Sequence, residues 1–157
     1  MKAELKSALG ISIAGFIWVV LEYVFGLHST RINLHSSLTW LAIVPIIFFY
    51  IIHFRDLNRN SAQKMTFKKG FLSGMMVTLF SIPLSQIGFL LYYYLINPNF
   101  FTAFRKYTVE NNFMSPTEAD QYFTLRNYLI QISAGSIFMG IVLTLILTLI
   151  FSSKKKH

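Results

Sequence analysis

IQISAGSIFMGIVLTLILTLIF, residues 130–151, carries no charged side chain from end to end. A helix rises ~1.5 Å per residue, so a segment of this length covers the ~30 Å hydrocarbon core of a bilayer. Its apolar residues come in runs and do not alternate with polar ones, which argues against a half-buried strand. The stretch predicts a transmembrane helix. Three further runs of similar character lie upstream, over residues 8–27, 38–54 and 70–96. Across the chain 54% of residues are hydrophobic and 13% charged, with a mean hydropathy of +0.53, whereas soluble domains carry about 25% charged residues. The expected fold is an all-α membrane protein of four transmembrane helices, with residues 1–157 forming one domain.

The opening MKAELK followed by apolar sequence is compatible with a cleaved signal peptide. The apolar stretch is longer than the ~7–15 residues of a signal h-region, however, and VFGLHS lacks a small-x-small cleavage pattern. Retention as a first span is the expectation. The absence of cysteine rules out disulfides, thiolate zinc sites, iron–sulfur clusters and a cysteine nucleophile.

Ten of the 14 Lys and Arg fall on one side of the expected spans: Lys2 and Lys6, the 55–69 loop, and Lys154, Lys155 and Lys156. Only Arg31, Arg105, Lys106 and Arg126 lie on the other. The positive-inside rule then puts both termini in the cytoplasm. The terminal KKKH also fits a dilysine retrieval signal by position, but a topology anchor explains it with less assumed. The net charge of +8 reflects this asymmetry and attraction to anionic headgroups. Nucleic-acid binding is not expected, since the basic residues flank spans and form no soluble face.

Pro45 and Pro83 predict bends in spans two and three. Trp40 and Tyr92–Tyr94 fit aromatic belts at the outer interface. Between spans three and four, Phe100, Phe101, Phe104, Tyr107 and Met114 share one helical face. They describe an amphipathic segment that lies either on lipid or over the outer end of the bundle. Ser115, Pro116 and Glu118 make a capping box, and no Pro or Gly follows until Gly135. One helix from Pro116 to about Phe151 is the expectation.

Small residues form ridges. Gly70, Gly74, Thr78, Ser81, Ser85 and Gly88 fall within an ~80° arc of span three. Ser136, Gly140, Thr144 and Thr148 repeat every four residues in span four. Lipid supplies no hydrophobic drive between helices, so such faces favour close backbone approach. They serve packing within the bundle, or a second copy or partner subunit.

Candidate chemistry is sparse. No nucleophile elbow, H-E-x-x-H or phosphate loop occurs, so neither catalytic nor cofactor-binding residues are expected. His28 and His35 are seven apart on an outer loop with no acidic neighbour in sequence, and His53 belongs to the opposite side, so no metal site is expected. Glu22 and Gln86 are the notable polar groups within spans. Pairing across the bundle would satisfy both. Glu22 lies about five residues below the outer end of span one, where Arg31, Arg105, Lys106 or Arg126 is an available partner.

An arginine closing span two (HFRDLN), TFKKGFLSG opening span three, NPNF after it, MSPTEA in the outer segment and a last helix of glycine, Thr/Ser-bearing apolar run and lysines complete the pattern. In these features the chain resembles the bacterial integral-membrane family catalogued as domain of unknown function 4199. The resemblance spans nearly the whole chain and implies a bacterial cytoplasmic membrane; it brings no catalytic or binding residue with it. The expected function is a non-enzymatic scaffold, assembly or regulatory subunit. A small oligomeric transporter or channel using Glu22 is the alternative, and an enzyme acting on lipid a third.

Overall fold

The computed structural model describes residues 1–59 and 65–153. Lys64 and the tail lysines Lys154–Lys156, used above for orientation, lie outside them. Among the described residues every regular element is helical. Four helical stretches are long and apolar enough to cross a membrane: Lys2–Val24, Ile32–Arg59, Phe67–Ile96 and Leu125–Ser152. The chain is a multi-pass membrane protein.

Helix α1 (Lys2–Val24) stops at a Schellman turn. Leu27 N–H donates to the Glu22 carbonyl (2.8 Å) and Gly26 N–H to Tyr23 (3.0 Å), with Gly26 in the left-handed region at φ 77° that glycine adopts without penalty. The second span is composite: a 3-10 turn (Ile32–Leu34), the short α2 (His35–Leu38), a second 3-10 turn (Thr39–Ala42) and α3 (Ile43–Arg59). Pro45 therefore sits in the first turn of α3, where a missing N–H costs little, and the expected mid-helix bend is replaced by a 3-10 entry. Helix α4 (Phe67–Leu91) starts at Thr66, whose hydroxyl accepts from Lys69 N–H (3.3 Å), and runs through Pro83 without a break. A π-helical turn, Tyr92–Ile96, ends it.

Helices α5 (Phe100–Glu110) and α6 (Pro116–Tyr122) form a cap over one end of the bundle. Phe100 and Phe101 are buried among Phe89, Tyr92 and Tyr128, so the amphipathic segment packs on protein. The capping box is present: Glu118 N–H donates to Ser115 Oγ (3.3 Å), and Ser115 N–H to Glu118 Oε2 (2.8 Å). The single helix expected from Pro116 is broken. Helix α6 ends at Tyr122, and α7 (Leu125–Ser153) restarts after Thr124, whose Oγ1 accepts from Asn127 N–H (3.2 Å). The break frees the Phe123 carbonyl, and Arg105 takes it through Nη2 (2.7 Å) and Nε (3.0 Å), fastening α5 to the joint.

In the bundle, α4 packs on both α1 and α7, and α3 completes the ring against α1 and α7. The span-three ridge divides between two partners. A Cβ on Gly74 would lie 2.6 Å from Thr144, and one on Gly70 3.1 Å from Thr148. A Cβ on Gly140 would collide with Thr78 Oγ1 and Cγ2. Thr144 and Thr148 are buried, whereas Ser136 is half-buried. Farther along, the ridge turns to α1: Ser12 Oγ lies 3.2 Å from Ser85 Oγ and donates to the Ser81 carbonyl (3.3 Å), while Gly88 meets Phe16. The small residues thus seat α4 against α7 in one half and against α1 in the other.

Candidate functional site

The polar centre lies where α1, the following turn, α2 and the cap meet. Glu22 is only 4% exposed. Its Oε1 accepts from Trp18 Nε1–H (2.9 Å), one helical turn earlier. Its Oε2 lies 3.3 Å from His28 Nε2 and 3.7 Å from His35 Nε2. The Schellman turn produces this arrangement, because Gly26 reverses the chain and lays His28 back over the carboxylate two residues later.

His28 is buried, and a second layer holds it. Its Nδ1 is 2.6 Å from the Tyr92 hydroxyl, which also accepts from Asn97 Nδ2–H (2.8 Å). Tyr92 faces inward on the register of α4, sharing the face of Ser85 and Gly88, and the π turn that follows, with Asn97 N–H on the Tyr92 carbonyl (3.0 Å), brings Asn97 to its hydroxyl. The cap's aromatic face closes the centre. Phe100 stands edge-on to His28 with ring centroids 4.9 Å apart, and Phe104 to His35 at 4.8 Å.

Two of the four basic residues expected to reach Glu22 are engaged elsewhere. Arg105 holds the Phe123 carbonyl and faces Asp120 (3.5 Å), and Lys106 faces Glu110 (3.8 Å). Gln86 donates to Ser133 Oγ (2.7 Å), not to Glu22. The premise that His28 and His35 lack an acidic neighbour also fails, since the fold supplies Glu22. Tyr92 is fully buried, so of the tyrosine triplet it is Tyr94, 62% exposed, that fits an interfacial belt. Sequence reasoning missed Trp18, Tyr92 and Asn97. The i, i+4 spacing of Trp18 and Glu22 was the one readable signal.

A cavity of about 190 Å³ runs from Glu22 and Thr39 past Trp18 to Ser12 and Ser85. Beyond it the buried cluster of Ile11, Tyr50, Phe54, Val77, Leu143 and Leu147 fills the bundle. At the opposite end a second polar set gathers. Ser73 Oγ donates to Glu4 Oε1 (2.7 Å) and lies 2.9 Å from His53 Nε2, whose Nδ1 is 3.1 Å from Ser7 Oγ.

The chain matches the sequence model of the family described as "Protein of unknown function (DUF4199)" over residues 6–153. It belongs to that family. No curated protein and no solved structure matches it.

Proposed function

We propose that this protein is a non-enzymatic scaffold, assembly or regulatory subunit of a bacterial cytoplasmic membrane, with both termini inside and the cap on the outer face. The observation that carries the reading is how the polar groups are used. Glu22, His28, Tyr92, Asn97 and Arg105 bind one another or backbone and hold the cap on the bundle. The charge distribution supports the orientation. A cysteine at Ser152 is expected to be labelled only from the cytoplasm, and one at the exposed Thr117 only from outside. Crosslinking in native membranes from a photoreactive residue at Phe113, an exposed cap position, is expected to yield one discrete adduct with a membrane protein or a second copy. Absence of any adduct at expression levels that support function contradicts the scaffold.

The cavity between Glu22 and Ser85 favours one alternative, a small transporter that uses the carboxylate. The apolar cluster below it argues against a continuous path in this conformation. Proton flux in proteoliposomes of the purified chain, lost in Glu22→Gln while the cap stays protease-resistant, would establish the transporter in place of the scaffold.

A further inference from the structure

We propose that Glu22, His28 and His35 bind one divalent transition-metal ion, zinc by donor type and spacing. The proposal stands independently of the scaffold reading. One ligand atom from each residue lies within 4.8 Å of the other two. Two nitrogens and a carboxylate oxygen are the donors of three-ligand zinc sites, which leave a fourth position for water or another ligand. At a metal–ligand length of 2.0–2.1 Å, tetrahedral geometry sets ligand atoms ~3.3–3.4 Å apart. Glu22 Oε2 lies 3.3 Å from His28 Nε2 and 3.7 Å from His35 Nε2, so small side-chain rotations complete the site.

The second observation is a buried nitrogen with a loose partner. His28 Nε2 is buried and aimed at Glu22 Oε2 3.3 Å away, without completing a well-formed hydrogen bond to it. A buried polar atom left this poorly satisfied is costly, and coordination satisfies it. The remaining donor atoms are already anchored in the manner of metal sites. Glu22 Oε1 is held by Trp18, and Oε2 faces both histidines. His28 Nδ1 is held by Tyr92, itself fixed by Asn97. Outer partners of this kind set the tautomer and ring orientation of a ligating histidine; with Nδ1–H donating to the Tyr92 oxygen, Nε2 presents its lone pair to the metal. His35, at the start of α2, is the least buried of the three and borders an apolar cavity of about 360 Å³ under the cap. The open coordination position is assigned to that side.

The test uses the full chain in detergent or nanodiscs, purified with a tag that contains no histidine and stripped with chelator. Titration with zinc alone is expected to reach one equivalent per chain. Cobalt in its place is expected to give the visible absorption of a tetrahedral site. His35→Gln, at the partly exposed ligand, is expected to weaken zinc binding at least tenfold while leaving the helical signal of the metal-free protein unchanged. Tyr92→Phe is expected to weaken it roughly tenfold or more through loss of the outer partner. His53→Gln, at the opposite end, is expected to change nothing. Wild-type protein that takes up less than about a tenth of an equivalent at micromolar zinc overturns the proposal. So does a titration that His53→Gln abolishes and His35→Gln leaves intact.

Discussion

Tyr92 shows how a single hydroxyl organises the centre. It accepts from Asn97 and touches His28 Nδ1, so Tyr92→Phe leaves two buried polar groups without partners. Each such group costs ~1–3 kcal/mol, and the variant is expected to lose about 2 kcal/mol or more in a detergent unfolding assay. Tyr93→Phe, one residue on and half-buried, is expected to change stability far less. The sequence showed Glu22 as an unusual group but not its partners. A carboxylate near a membrane surface attracts a basic side chain by charge alone, and three arginines and a lysine lie on that side. The histidines prevail through chain geometry: Gly26 at φ 77° turns His28 onto Glu22, a consequence of backbone conformation that composition does not reveal. Tyr92 was misread because three consecutive tyrosines at a span end look alike by composition, although its spacing from Ser85 and Gly88 puts it on the inward face of α4.

At the scale of elements, the small-residue ridges can be found in the sequence because they express sterics at a fixed period, whereas the helix each one meets cannot. Gly140 lies directly against Thr78, whereas nothing approaches the Cβ position of Gly135 within 4 Å. Gly140→Leu is therefore expected to lose about 2–3 kcal/mol by overpacking. Gly135→Leu, the same change five residues earlier at an exposed position, is expected to be near neutral. Equal thermal shifts would place the ridge elsewhere. The capping box was also readable, since Ser-Pro-x-Glu specifies its own hydrogen bonds. Those bonds with Ser115 hold the Glu118 carboxyl below its ordinary value of 4.5. A depressed carboxylate stabilises the folded form above its unfolded pKa, and that contribution disappears as pH falls through the folded value. Protection of the α6 amides, relative to the unstructured exchange rate at each pH, is thus expected to fall below about pH 4.5, and Ser115→Ala to cost ~1 kcal/mol at neutral pH. The break after α6 was not legible. No Pro or Gly marks it; Arg105, 18 residues away, takes the Phe123 carbonyl, and Thr124 caps the next helix by accepting from Asn127 N–H.

For the whole molecule, the number of spans and their approximate limits follow from hydropathy, which responds to the bilayer as solvent and not to tertiary contacts. The position of the cap does not follow from it, since an aromatic helical face suits lipid and protein alike. Phe100, Phe101 and Phe104 settle on Phe89, Tyr128 and the two histidines, and the Glu22 centre lies beneath them. This buried centre fastens the cap to the bundle. Limited trypsin digestion in nanodiscs tests it most directly, because Arg105, Lys106 and Arg126 lie in or beside the cap. Wild-type protein is expected to resist cleavage at these sites. Glu22→Leu, which strips Trp18 and His28 of their partner, is expected to be cut there at least tenfold faster while α4 and the part of α7 beyond Arg126 remain intact. Cleavage at the wild-type rate in Glu22→Leu would contradict the claim and leave the cap held by its aromatic contacts alone.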